Sequence, residues 1–415
     1  MKKLLLLMTV LTLVGCGKDV TVDRFSKSIE CGEGSHVRTW TFKQPSEVFS
    51  KMDLLFVLDT SISIWSEYRK ITERIESYLN ALPADADVNI ALLPGHGLLS
   101  RHSGRLSSVL KTKGKSKAEI KQELSESFSK LPFDFTPGGG EYLFYSYLRA
   151  TEGKNLQRIK KQGLLRDDAA LTVVFVSDEN DVCFDPRKHG YSSAPDFVHS
   201  GLGLDELGYE LFCTDKQGRE KYTSAAVKQR SIELKGEGRF SIGAVTHVDK
   251  SKVPIGKLYE DSVGHGYLQL LDAASPRSQA IEITSNDFKA ELESLAHIGS
   301  GDSLLTRFVL GLLSKTELES LFVQVDGAAV PFQLSIAADV DEPKVTLVLG
   351  DENAGKFGSE VLVQACSENS GQTRKKRTTS GARIQNDTMS IKSSVSCLTI
   401  NYGAYTSCRC ILRSH

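Results

Sequence analysis

The chain holds 415 residues, 51 of them Lys or Arg and 52 Asp or Glu, for a formal net charge of −1. That balance lacks the basic field that nucleic-acid binding demands. The length exceeds what one hydrophobic core usually serves, so two folded units are expected.

Lys2 and Lys3 precede an apolar run over residues 4–14, followed by Gly15 and Cys16. A charged start, a short apolar region and a small residue at the cut mark a secretory signal, too short to span a bilayer as a helix. The ending Leu13-Val14-Gly15-Cys16 resembles the lipobox of bacterial lipoproteins. That resemblance implies removal of residues 1–15, a diacylglyceryl group on the Cys16 sulfur and an acyl chain such as palmitate on the new amine. Several buried chains hold a protein firmly, at about 0.8 kcal/mol per methylene. Gly17, where other such lipoproteins carry Asp, goes with delivery to the outer membrane, on its periplasmic face or at the cell surface. The mature part keeps 49 basic against 52 acidic groups, a charge of −3. Its one dense basic run, residues 374–377, reads as a solvated loop tip.

Residues 16–50 show no clear period and are expected to form a lipidated tether or an edge strand. An apolar strand over residues 53–58 then runs into Asp59-Thr60-Ser61-Ile62-Ser63. Ile64, Tyr68, Ile71, Ile75 and Leu79 follow at helical spacing. Residues 88–93 predict a second strand and residues 105–110 a third. Ser116 with Glu119 forms a capping-box pattern ahead of a helix that puts Ile120, Leu124 and Phe128 on one face. After the turn Pro137-Gly138-Gly139-Gly140 a helix is predicted over 142–150. A second apolar run, residues 171–176, ends on Ser177-Asp178. A polar, glycine-rich insertion spans 182–222. Beyond it come a helix at 223–234, strands at 240–245 and 280–284, and a helix at 287–297. Strands alternating with helices predict an α/β unit over residues 51–316, with a Rossmann-like, doubly wound and mostly parallel sheet. Short alternating runs at 321–325, 344–349, 360–364 and 396–400 predict a small β-rich, sandwich-like domain over 317–415.

With Cys16 set aside, seven cysteines remain, most of which should pair in an oxidising envelope. Cys183 and Cys213 bracket the insertion, and a bridge there would stabilise by roughly 3 to 4 kcal/mol in the loop-entropy picture. Cys366 and Cys397 are expected to staple the tail, leaving Cys31 to compete with Cys408 and Cys410. No Cys-x-x-Cys pair supports a zinc or redox motif.

Two buried parallel strands would deliver Asp59 and Asp178 to the carboxyl edge of the sheet, where open α/β folds hold ligands. Ser61 and Ser63 add hydroxyls on alternate residues. A purely oxygen donor set suits a hard divalent cation: Mg²⁺, or Ca²⁺ or Mn²⁺. The Asp-x-Ser-x-Ser turn, paired in order with Asp178 on a later strand, resembles von Willebrand factor type A (VWA) domains and their metal-ion-dependent adhesion site (MIDAS), over roughly residues 50–315. The run Val176-Ser177-Asp178-Glu179-Asn180-Asp181, with Cys183 close behind, is similar to VWA lipoproteins of predatory and social bacteria, which also carry a β-rich tail. The resemblance implies that Ser61 and Ser63 ligate directly and that the aspartates ligate or hold coordinated waters. One position stays open for a Glu or Asp of a protein partner. The implied role is an envelope-anchored adhesin or scaffold, not an enzyme.

The loop before the 142–150 helix departs from the family pattern. The family's threonine ligand falls near Gly140 or Glu141. Glu141 either coordinates in its place or caps the following helix, and Thr136 reaches the metal only if the loop folds back. Trp65 either lines the rim or packs the first helix. Two other classes stay open: a metal-free structural lipoprotein, and a metal-dependent envelope hydrolase. The hydrolase lacks a placed base and the acids of a two-metal site. No Gly-x-Ser-x-Gly, P-loop or His-Glu-x-x-His occurs, and His189, His247, His265 and His297 are scattered.

Overall fold

The computed structural model describes residues 18–22, 29, 31–32, 34–61, 63–83, 85–133, 140–184, 212–249, 251, 253, 263–285, 287–336, 344–368, 395–402 and 405–412. The signal segment, Cys16, Thr136, most of the insertion and the basic run at 374–377 lie outside them. The chain divides into two units, one of residues 45–305 and one joining the residues up to 44 with those from 306 onward. The boundaries therefore differ from the expected 50/51 and 316/317.

Of the two forms expected for residues 16–50, a tether or an edge strand, the described residues give the second, with two edge strands in the second unit. β1 (Lys18–Val22) and β2 (Ser35–Lys43) pair antiparallel with strands more than 300 residues further on. β2 is the outer strand of its sheet and most of its residues are exposed. A strand with one free edge and little burial keeps no apolar alternation, which is why periodicity did not announce it.

In the α/β unit, β3 (Lys51–Leu58) is the central strand, and every residue after Lys51 is buried. It pairs in parallel with β4 (Asp87–Pro94) on one side and β6 (Ala170–Val176) on the other. β5 (Ser108–Lys111) closes one edge antiparallel, while β7 (Phe240–Thr246) and β8 (Ser278–Glu282) extend the other in parallel. The order is β5-β4-β3-β6-β7-β8. The chain winds outward from β3 in one direction and from β6 in the other, so the topological switch lies between these two strands. Alternate residues of β3 enter opposite cores. Leu54 and Phe56 pack with α1 (Trp65–Ala81), α2 (Lys117–Ser129) and α7 (Phe288–Ser300), through Ile71, Leu124 and Leu292. Leu55 and Val57 face α3 (Leu143–Ala150), α5 (Ser224–Lys235) and α6 (His265–Ala274), through Phe144, Val227 and Tyr267. α4 (Gly153–Gln162), which the sequence reading passed over, ends on Gly163 in the left-handed conformation with φ 96°. α6 begins at His265.

At the opposite end of the sheet Asp53 is fully buried. Arg166 holds it from Nε at 2.9 Å and from its backbone N–H at 2.7 Å, and reaches Asp87 from Nη1 at 2.9 Å. Lys235 stands 3.7 Å away.

The second unit adds β9 (Arg307–Leu312), α8 (Lys315–Ser320), β10 (Phe322–Val325), β11 (Ala328–Ala329), β12 (Phe332–Ile336), β13 (Lys344–Val348) and β14 (Glu360–Glu368). They form two four-stranded sheets, β1-β12-β13-β9 and β11-β10-β14-β2. The rings of Phe42 on β2 and Phe308 on β9 meet at 4.9 Å between them, as in a sandwich. β15 (Val395–Tyr402) and β16 (Tyr405–Leu412) form a separate hairpin.

Cys183 is bonded to Cys213 as expected, with Cα atoms 5.2 Å apart. Cys366 is bonded to Cys31 and not to Cys397. The end of β14 lies antiparallel beside the start of β2, with Cys366 opposite Val37, and this brings the Cys31 Cα within 5.5 Å. Non-reducing peptide mapping should recover Cys31–Cys366 and Cys183–Cys213 peptides; a Cys366–Cys397 peptide would contradict the β2–β14 pairing. Replacing Arg166 by Ala strands the buried Asp53 charge and should cost about 3 to 5 kcal/mol in urea unfolding. A loss below about 1 kcal/mol would show that Lys235 suffices.

Candidate metal-binding site

Asp59 and Asp178 come together because β3 and β6 are parallel neighbours in register, with Leu58 opposite Val176. The Asp59 backbone N–H donates to Val176 O at 2.9 Å, which continues the ladder one step past the strand. Ser177 then faces Asp59, and its hydroxyl donates to Asp59 Oδ2 at 2.6 Å. The other oxygen, Oδ1, accepts the backbone N–H of Ser61 at 2.7 Å, so the turn after β3 closes on its own aspartate. From there the Ser61 and Ser63 hydroxyls lie 2.9 Å apart, and Ser63 donates to Asp178 Oδ1 at 3.3 Å. Asp59, Ser61, Ser63 and Asp178 thus form one contiguous cluster, as the Asp-x-Ser-x-Ser spacing suggested.

A third segment enters through glycine. Gly140 accepts the Thr60 N–H at 3.3 Å and has φ 94°; a Cβ there would strike the Thr60 side chain and backbone. An L side chain is excluded by both the space and the backbone angle. The contact brings Glu141 against the acids. Glu141 is 4% exposed, and its Oε2 is buried without a hydrogen-bond partner among the described residues. The Glu141 carboxyl is hydrogen-bonded to that of Glu179.

Of the two roles open to Glu141, capping α3 is taken by another residue. Asp181 accepts the Phe144 N–H at 2.8 Å at the first turn of α3, and the Cys183 N–H at 2.9 Å. Its neighbour Asn180 accepts the Gly266 N–H at 2.9 Å at the start of α6 and donates to Phe184 O at 3.0 Å. The Val182 N–H donates to Glu141 O at 3.2 Å. The loop after β6 therefore positions α6 and α3 through the successive side chains of Asn180 and Asp181, and the Glu141 segment through the Val182 backbone. Within this polar run only Asp178 was expected at the site. The available signal was a row of short polar side chains directly after an apolar strand, the residue types that cap helices and close turns. Thr136 lies outside the described residues, and so does the Trp65 side chain.

Burial dominates the electrostatics. It pushes the Asp59 carboxyl up to about 6, against hydrogen bonds from Ser177 and Ser61 that favour the charged form. Glu141 is held well above the usual carboxylate range by burial and then by the charges of Glu179, Asp59 and Asp178. Asp181 is raised to about 7, again mainly by burial. The buried Tyr68 of α1 has its phenol pushed up by burial and by the two site aspartates. Such a set favours any event that brings positive charge to it.

Among the described residues, no three His, Cys, Asp or Glu side chains close into a cage by themselves. The donors that converge here are hydroxyls and carboxylates together, an oxygen set that matches Mg²⁺, Mn²⁺ or Ca²⁺ in kind. The orphaned Glu141 Oε2 and the equally buried, unpartnered Thr60 Oγ1 are oxygens that a cation or its waters could satisfy.

No family model matches the sequence, and no curated protein does. Among solved structures the chain is similar to a von Willebrand factor type A protein from Catenulispora acidiphila, with 10% identity, 82% of this chain and 66% of that one covered, and a TM-score of 0.34. It is also similar to the pilus adhesin SpaC from Lactobacillus rhamnosus GG in its open conformation, at 12% identity, 85% and 42% coverage and a TM-score of 0.34. A third likeness is to proximal thread matrix protein 1 from the mussel byssus, at 9% identity, 65% and 51% coverage and a TM-score of 0.32. The chain spans between 42% and 66% of the length of these proteins.

Proposed function

We propose that this chain is an envelope-anchored lipoprotein that binds a divalent cation at the β3–β6 edge and, through it, a protein partner. The role is adhesion or scaffolding, without catalysis. The observation that carries it is the hydroxyl and carboxylate chain Asp59–Ser61–Ser63–Asp178 beside the buried Glu141, whose Oε2 has no hydrogen-bond partner among the described residues. Ser61, Ser63, Asp59, Asp178 and Glu141 would hold the cation. Bound, it supplies positive charge and a coordination position that a partner oxygen can fill. Ser177 and Asp181 keep Asp59 and the Glu141 loop in place whether or not the site is loaded. Lipidation at Cys16 would tether the unit to the outer membrane.

A metal-free structural role is the second reading, favoured by the bond between the two serine hydroxyls, which satisfy each other without a cation. Melting curves separate the two. Mg²⁺ or Mn²⁺ should raise the melting temperature of the parent, because a ligand at 100 times its Kd adds about 2.7 kcal/mol to the folded state. Asp59→Ala should melt at the same temperature with and without cation. An unresponsive parent would favour the structural role.

The raised carboxyl groups fix the pH dependence. Asp59 and Asp181 keep protons in the folded state up to about 6 and about 7, whereas the unfolded chain releases them near the ordinary value of 3.8. Their contribution to stability is complete below 3.8 and is lost as pH rises through the folded values. The cation-free protein should therefore lose stability between about pH 5 and pH 7, and Mg²⁺ should restore more at pH 7 than at pH 5 because cation competes with protons. A larger Mg²⁺ increment at the lower pH would contradict this.

Glu141→Thr removes a charged donor. Calorimetric titration should show Mn²⁺ affinity falling by roughly tenfold or more, equivalent to about 1.4 kcal/mol or greater. Affinities equal within about twofold would remove Glu141 from the ligand set.

A further inference from the structure

The resemblance to adhesion sites implies an acidic partner residue, but the charge gathered at this edge opposes one. With a threonine ligand and two aspartates, a divalent cation would sit at a neutral centre that accepts a carboxylate. This chain adds two more acids. Glu141 is buried against the aspartates with one oxygen unpartnered, and Glu179 is half-buried and hydrogen-bonded to it. The Glu179 backbone is fixed by its N–H donating to Ser177 Oγ at 3.1 Å, and its side chain, directly after Asp178, is half-buried. The charges acting most strongly on Glu141 are Glu179, Asp59 and Asp178, all acids.

Four carboxylates against one divalent cation leave a net negative charge of two. Keeping Glu141 protonated still leaves a negative charge of one. In neither state does the loaded site retain positive charge for an incoming acid, and like charges brought together in a half-buried site repel strongly. Resting on the cation-binding reading above, we infer that the partner docks a basic polypeptide segment, setting a neutral backbone or amide oxygen on the cation and a Lys or Arg against Glu179. The cation then supplies the coordination position, while the surplus carboxylate selects the partner.

The test uses fluorescent pentapeptide pools with a fixed central Lys, Gln or Glu, titrated by anisotropy in saturating Mg²⁺ against the parent, Glu179→Gln and Glu141→Thr. Mn²⁺ calorimetry on the same preparations reads the cation site separately. The Lys pool should bind the parent roughly fivefold or more tightly than the Glu pool, with the gap narrowing as salt is raised. The gap should shrink in Glu179→Gln, whose half-buried position makes it tolerant of substitution, while cation uptake persists. A preference for the Glu pool, equal binding of the three pools or binding of none overturns the inference and leaves cation binding standing where calorimetry records uptake. No cation uptake by the parent overturns both.

Discussion

Repulsion among carboxylates buried at one sheet edge is the constraint on which the α/β unit is arranged. Asp59 and the residues before Asp178 emerge opposite each other because β3 and β6 pair in parallel register, and the Gly140 contact brings Glu141 to the same point. Each of these groups would ionise readily in water. Burial penalises the charged form of each, and proximity penalises ionising them together. Protons or a cation can relieve that cost. The serine hydroxyls on alternate residues of the turn add neutral oxygens that suit a cation and have no use for a proton, which is why cation binding accounts for the whole constellation better than a shared proton does.

The acids stay in place because the loop after β6 is tied down at every step. Ser177 holds Asp59, Asn180 holds the first turn of α6, and Asp181 holds the first turn of α3. The disulfide from Cys183 to Cys213 fixes the loop's far end. Each helix start has backbone N–H groups without intrahelical partners, and an acid or amide from the loop satisfies one of them. The same contacts that complete the helices thus hold the site's geometry, so the cation proposed for this site would meet a largely prearranged set of donors.

Much of this was legible in the sequence, and the missing parts share a cause. Two long apolar runs ending on acids identified the central strands and the aspartates at their tips, because strands buried on both faces read as unbroken apolar stretches. Ser116 and Glu119 form the capping box that their spacing predicted. Hidden were features whose partner lies far along the chain. Asp181 caps a helix 37 residues earlier, Asn180 holds one 86 residues later, and Cys31 meets Cys366 across 335 residues. Residues 16–50 stayed open between a tether and an edge strand because an exposed edge strand such as β2 carries no apolar rhythm to fix its bounds. Glu141 was left between two roles until the competing cap, Asp181, could be seen in space.

Anomalous diffraction from crystals grown in Mn²⁺ measures the central claim most directly. The account predicts a peak between the hydroxyls of Ser61 and Ser63 and the carboxylates of Asp178 and Glu141, lost in Asp59→Ala crystals. An ordered β3–β6 edge without a manganese peak, or with manganese bound elsewhere on the chain alone, would contradict it.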